Sequence, residues 1–221
     1  MRTEISGSPS FAHVHIDLSP GESVIAENDA MQSMSADIQM TTKTNGGFFS
    51  ALGKKLFGGE SFFVNRFSND ASGPRRVTVA QDVPGEILEL QLGDGQEICL
   101  QRGAFLACTE RVQLTTSWAG FVSWFSGEGL VKLKASGAGT VWYGAYGGII
   151  KREVSGELKV DDGHLVAYDP ALKLKLAMAG GFFASLFGGE GLVTRLVGTG
   201  TVYIQTRSVK GLAAWLNPKF R

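Results

Sequence analysis

The chain has 221 residues, with 21 basic side chains against 21 acidic ones. That balance argues against a surface built to neutralise many phosphates, although a local basic patch could still hide in a neutral total. Apolar residues make up 43% and charged residues 19%, the composition of a globular chain.

Residues 1–10 read as an irregular start. Phe11-Ala12-His13-Val14-His15-Ile16-Asp17-Leu18 alternates apolar and polar, the period of a half-buried strand, and Ser19-Pro20-Gly21-Glu22 is a turn. Three strand-like runs follow: Ser23 to Ala26, Ala30 to Met34 and Asp37 to Thr42, with Asn28-Asp29 as a turn between the first two. The layout returns 74 residues later, where Ala104 to Cys108 and Val112 to Thr116 replace Ala30 to Met34 and Ile38 to Thr42. It returns again 60 residues beyond that, in Gly163 to Tyr168 and Leu172 to Leu176. A last strand-like run closes each section: Arg76 to Ala80, Thr140 to Gly144 and Thr201 to Thr206. Ser208 to Leu216 allows one or two helical turns, which Asn217-Pro218 stops.

Between the second and third parts of each section lies a Gly-Phe segment. Gly180-Gly181-Phe182-Phe183 continues to Leu186-Phe187-Gly188-Gly189-Glu190-Gly191. Gly46-Gly47-Phe48-Phe49 continues to Leu56-Phe57-Gly58-Gly59-Glu60, and the looser copy is Gly120-Phe121-Val122-Ser123-Trp124-Phe125-Ser126-Gly127-Glu128-Gly129. A threefold internal repeat accounts for this recurrence. Thirty glycines and many short runs between turn signals predict an all-β sandwich or barrel. Units of about 60–70 residues are marginal alone, so they are expected to share one core. One compact domain over 1–221 is expected, with units near 11–81, 85–147 and 148–207, a short C-terminal tail, and joints at Asp82-Val83-Pro84-Gly85 and Tyr146-Gly147-Gly148.

Cys99 and Cys108 are too few for a disulfide framework and make no metal pattern, so they are expected to be reduced and buried. No apolar run approaches the ~20 residues of a membrane-spanning helix. The stretch Met1 to Gly7 has no apolar signal core, and the cytoplasm is the expected location.

Several segments resemble the mitochondrial-biogenesis, or altered inheritance of mitochondria, family and its uncharacterised bacterial members. They are Leu56-Phe57-Gly58-Gly59-Glu60-Ser61-Phe62-Phe63, Val83-Pro84-Gly85-Glu86-Ile87, Arg102-Gly103-Ala104-Phe105-Leu106-Ala107, Gly137-Ala138-Gly139-Thr140-Val141, Ala145-Tyr146-Gly147-Gly148, Gly189-Glu190-Gly191-Leu192-Val193-Thr194-Arg195 and Val202-Tyr203-Ile204-Gln205-Thr206-Arg207. The resemblance covers nearly the whole chain in order. It implies three units with a fold like the tryptophan RNA-binding attenuator protein, of β-sandwich or double-stranded β-helix type, and a homotrimer in which nine units form a ring. It supplies no catalytic residues and no established activity, and RNA binding does not travel with the fold.

If rotation relates the units, Phe48, Phe49, Phe57, Phe121, Trp124, Phe125, Phe182, Phe183 and Phe187 fall on one face. Exposed, they would mark a membrane or partner contact, and Lys54-Lys55 would suit anionic lipid. Buried, they would cap the core or fill a subunit interface. Glu60, Glu128 and Glu190 could gather around a cation; the favoured reading has each hydrogen-bonding its own turn beside Gly59, Gly127 and Gly189. His13 and His15 share a strand face, but no third zinc ligand lies near them in sequence, and His164 is distant. Arg66, Arg195 and Arg207 recur near equivalent strand ends and are expected to pair with the Gly-Glu carboxylates.

No P-loop, dinucleotide fingerprint or nucleophile elbow is present, so no enzyme, metal or cofactor is predicted. The expected function is a non-enzymatic trimeric β-scaffold that docks on a membrane surface or a protein partner through its Gly-Phe loops. The alternative is a protein that binds nucleic acid or a small ligand. Balanced charge and sparse basic pairs, Arg75-Arg76 and Lys151-Arg152, weigh against nucleic acid.

Overall fold

Along His13–Leu18 the side chains alternate between half-buried and fully buried, and Val14, Ile16 and Leu18 are sealed from solvent. This is the pattern of a strand with one face on a core. The structure is a computed structural model that describes residues 1–44, 63–101, 103–118, 131–178 and 192–220.

It is built of antiparallel β-sheet. Seven strands occupy the first third of the chain: β1 (Arg2–Ser6), β2 (His13–Leu18), β3 (Ser23–Glu27), β4 (Met31–Met34), β5 (Gln39–Thr44), β6 (Phe63–Ser68) and β7 (Arg75–Ala80). Six follow: β8 (Ile87–Leu92), β9 (Glu97–Leu100), β10 (Phe105–Thr109), β11 (Gln113–Trp118), β12 (Val131–Ser136) and β13 (Gly139–Gly144). The last are β14 (Ile149–Asp161), β15 (Leu165–Tyr168), β16 (Lys173–Met178) and β17 (Leu192–Gln205), before the helix α1 (Val209–Leu216). Residues 1–10 are therefore not irregular throughout. β1 lies along β2, from Arg2 opposite Asp17 to Ser6 opposite His13. Its ladder is made by main chain, which leaves little trace in five residues of sequence.

Most strands pair within their own stretch of the chain. β2 pairs β7, β3 pairs β6, β5 pairs β6 and β4 pairs β7. Likewise β8 pairs β13, β9 pairs β12, β11 pairs β12 and β10 pairs β13. In the last stretch the long strands do double duty. Residues 149–154 of β14 pair with 200–205 of β17, and 157–161 pair with 193–197. β15 lies on the second half of β17, and β16 on the first.

Two further pairings tie the stretches together. β3 pairs β10, with Ala26 opposite Ala107, and β9 pairs β15, with Leu100 opposite Ala167. The result is one sheet in the order β5-β6-β3-β10-β13-β8 and another in the order β11-β12-β9-β15-β17-β14. A third sheet, β1-β2-β7-β4, ends at β4. Three buried clusters fill the spaces between them. Val14, Ile16, Val77, Phe67 and Trp142 anchor the first, Leu100, Phe105, Leu133 and Tyr143 the second, and Leu165, Tyr168, Leu196 and Val202 the third. Trp142 is fully buried, and its indole Nε1–H donates to Glu89 Oε2 at 2.9 Å. The same oxygen accepts from Thr3 Oγ1 at 3.1 Å, so one carboxylate links β1 to the second stretch.

The other sections turn where β14 and β17 run on. Their long ladder continues through Gly156 opposite Gly198, with φ of 106° and 135°. Only glycine enters that region at little cost. A side chain at Gly198 would also start 3.1 Å from the Ala171 carbonyl, whereas Gly156 faces open space. Gly198→Val is expected to lower stability by about 2–4 kcal/mol and Gly156→Ala by about 1–2, read from denaturant midpoints. Equal stability in both variants would contradict the geometry.

Neither cysteine is in a disulfide, and both are buried. Burial pushes the Cys108 thiol up to about 12, so almost no thiolate exists at pH 8. Iodoacetamide at pH 8 is expected to leave Cys108 unmodified in the folded protein and to alkylate it in guanidinium, as read by peptide mass spectrometry. Rapid native alkylation would contradict its place in the core.

Candidate functional site

The hairpins that carry the Gly-Phe segments end at three paired positions: Thr44 opposite Phe63, Trp118 opposite Val131 and Met178 opposite Leu192. Neighbouring backbone shows what surrounds these mouths. Asn28 N–H donates to Phe63 O at 3.2 Å, and Ala80 N–H donates to Ala30 O at 2.9 Å. The turn after β3 and the end of β7 therefore adjoin the first mouth. In the last stretch Asp161, opposite Val193, leads into the turn at 162–164 beside the third mouth.

These turns and strand ends enclose a cavity of about 420 Å³. Glu27 and Asp29 line it from the first stretch, Gln101 and Tyr146 from the second, and Val166 and Gln205 from the third. Much of its polar lining is held in place. Gln205 Nε2 donates to Gly163 O at 2.8 Å, and its Oε1 accepts from Tyr146 N–H at 2.9 Å. Gln81 Nε2 donates to Ala145 O at 2.8 Å. His164 Nδ1 lies 2.7 Å from Gln205 O, and since a carbonyl can only accept, the ring donates there. Gln101 Nε2 is different: it is buried and has no hydrogen-bond partner among the described residues. A buried, unsatisfied amide donor costs about 1–3 kcal/mol, which a bound acceptor would recover. Nothing in the chain's motifs singled out this set. A glutamine at or just past the end of the closing strand, Gln81 and Gln205, was the one available signal.

Phe48, Phe49, Phe57, Gly59 and Glu60 lie within 45–62, Phe121, Trp124, Phe125, Gly127 and Glu128 within 119–130, and Phe182, Phe183, Phe187, Gly189 and Glu190 within 179–191. All are outside the described residues.

The recurrent cations are described, and the expected carboxylates Glu60, Glu128 and Glu190 are not, so only the cations' partners among the described residues are given. Arg66 Nε donates to Glu110 Oε1 at 2.7 Å, and its Nη2 donates to Ser23 Oγ at 3.1 Å. Arg195 Nε donates to Glu157 Oε1 at 2.8 Å. Lys134, which occupies the matching register of its hairpin, reaches Glu97 at 2.8 Å. Arg207 donates to its neighbour Thr206 O at 3.0 Å. The hydrogen bond from Arg195 holds the Glu157 carboxyl below its ordinary range. Pairing with Glu110 raises Arg66 above its own. These are exposed pairs that orient strand ends and contribute little to stability. Arg66 with Glu110 does more, since it spans the β3–β10 seam.

His13 and His15 sit edge to face with ring centroids 4.8 Å apart. His15 Nδ1 lies 3.0 Å from Thr78 Oγ1, and His13 Nδ1 lies 3.3 Å from Phe11 O. Among the described residues, no group of three His, Cys, Asp or Glu is placed to hold a metal. No described helix is long and apolar enough to cross a membrane.

Comparison with known proteins adds the family. The chain is 31% identical over 225 residues to an uncharacterised protein of Streptococcus pyogenes serotype M6, which covers 98% of this chain and 90% of that one. It superposes on the X-ray crystal structure of a Streptococcus pyogenes protein with a TM-score of 0.82 at 29% identity, covering 99% of both chains. The profile of the family described as mitochondrial biogenesis AIM24 matches residues 3–207. With nearly its whole length inside that match, the chain belongs to the AIM24 family.

Proposed function

We propose that the chain is three copies of one six-stranded unit and acts as a subunit of a homotrimeric β-scaffold. In this reading it presents a surface to a membrane or protein partner and turns over no substrate. The observation that carries it is a pair of unfinished sheets. Wherever two units meet, the second strand of one lies beside the third strand of the next, β3 on β10 and β9 on β15. Each meeting completes a six-stranded sheet. The ends of the chain are left with halves: β4-β7-β2, extended by β1, at the start, and residues 157–161 of β14 with β17 and β16 at the finish.

Burial follows the same division. β10 and β15, the third strands inside the chain, are buried almost throughout, whereas β4 is exposed at three of its four positions. Glu157 and Lys159 are exposed on the other free strand, which suits the polar Gln32 and Ser33 of β4 better than an apolar partner. Pairing β14 of one copy with β4 of the next would complete the missing sheet by strand addition. That contact is head to tail, so copies must close into a ring or grow into a filament. A ring of three, nine units in all, is the closed form implied by the likeness to the tryptophan RNA-binding attenuator protein. It would bring the hairpin mouths of every unit onto one rim, with the Gly-Phe aromatics as its contact residues.

A second reading rests on the cavity. The unpaired Gln101 amide, with Glu27 and Asp29 nearby, suits a small polar ligand that brings a hydrogen-bond acceptor.

Native mass spectrometry and light scattering test the assembly. The expected mass is three times the 23.6 kDa chain. Proline at Gln32 and, separately, at Ser33 is expected to shift the mass toward one chain in whichever variant loses an outward N–H, with circular dichroism confirming retained sheet. A wild-type mass of one chain at micromolar concentration would overturn the reading.

A further inference from the structure

The fifteen residues from 207 to 221 carry Arg207, Lys210, Lys219 and Arg221 and no Asp or Glu. In a chain with no net charge, this end is a basic pole. Most of it forms α1, capped by Ser208, whose hydroxyl accepts from Gly211 N–H at 3.1 Å. The helix buries none of its residues. Val209, Leu212 and Leu216 recur at helical spacing and share a face, with Trp215 on its flank. Val209 is 55% exposed, Trp215 62% and Phe220, just beyond the helix, 81%. Lys219 Nζ sits 4.5 Å from the Trp215 ring centroid.

A helix of eight residues is marginal in water without tertiary packing, so this apolar face needs a cover. The charges say which kind. Tryptophan and phenylalanine settle at the boundary between headgroups and acyl chains, and lysine and arginine reach outward to anionic headgroups. An apolar stripe with Arg207, Lys210 and Lys219 close by in the chain and no acidic residue among them is that arrangement. Anionic headgroups meet such cations without a matched set of carboxylates. The helix also stands beside the third hairpin mouth: a Cβ at Gly163, in the turn there, would lie 3.1 Å from the Ser208 side chain.

We propose that α1 and the residues after it form an anionic-lipid contact. The helix lies in the headgroup plane, Trp215 and Phe220 enter the acyl boundary, and Lys210 and Lys219 meet lipid phosphates. This names one partner for the surface-docking reading above and rests on that reading only in placing the helix beside the rim; it does not depend on the trimer.

The test is flotation of the full chain with vesicles of phosphatidylcholine alone and of phosphatidylcholine with phosphatidylglycerol. Four proteins are compared: wild type, Leu212→Ser/Trp215→Ser, Lys210→Gln/Lys219→Gln and Phe182→Ser/Phe183→Ser. Because α1 buries none of its residues, the helix variants are expected to keep the wild-type melting temperature and solution mass. Wild type is expected to float only with phosphatidylglycerol, and less as salt rises. Neutralising two lysines should weaken binding roughly thirty-fold, from about 1 kcal/mol per cation. The Leu212/Trp215 variant should lose binding, while the Phe182/Phe183 variant retains a helix-dependent part. No phosphatidylglycerol-dependent flotation of wild type would overturn the proposal. So would flotation that survives both helix variants and vanishes in the loop variant, which would assign the contact to the loops. A change of solution mass in the Leu212/Trp215 variant without vesicle binding would show that the helix covers another copy instead.

Discussion

A β-sheet that stops short leaves a row of N–H and C=O groups that must be paired, covered or solvated. The β3–β10 and β9–β15 ladders meet that demand inside this chain, and the rest of the molecule is arranged around them. They set the order of the two larger sheets, bury β10 and β15, and bring turns from all three stretches around one cavity. The Arg66–Glu110 pair lies across the first of these seams. The Thr3–Glu89–Trp142 chain of hydrogen bonds ties the N-terminal strand to the second stretch. Where no neighbour follows, at β4 and at residues 157–161, the same demand stands open, and the proposed assembly answers it with a second copy.

In the last stretch two long strands carry most of the pairing. In the earlier stretches, turns separate β2 from β3, β8 from β9, β6 from β7 and β12 from β13. In the last, β14 and β17 pass straight through, and a facing pair of glycines takes up conformations other residues resist. The ladder on either side keeps its partners, so continuity of the strand is secondary to which edges meet.

Much of the strand framework was legible in the sequence. His13–Leu18 declared itself because one face is sealed and the other wet, and Ser208 with Asn217-Pro218 marked the limits of α1 through capping and backbone restriction. β14 was hard to read, since Lys151, Arg152, Glu153, Glu157 and Lys159 are all exposed and only Val154 and Val160 are buried. Two buried positions among thirteen give too little alternation to detect. β1 was missed because main-chain pairing holds it. The partners of Arg66 and Trp142 lie 44 and 53 residues away, separations that no local pattern connects. Of the candidate contact surface, composition pointed to the aromatic segments. The exposed stripe of α1 emerged from structure, because eight residues of mixed Val, Leu, Ala and Trp read equally well as a buried end.

The central claim is that edges open in one chain are paired in the assembled protein, and backbone amide hydrogen exchange resolved by residue tests it most directly. The account predicts that outward amides of β4 and of residues 157–161 exchange as slowly as those of β3 and β10 at concentrations where the protein is assembled, and faster on dilution. Fast exchange at both edges at every concentration, with β3 and β10 protected, would contradict it and leave a single chain whose sheets simply end.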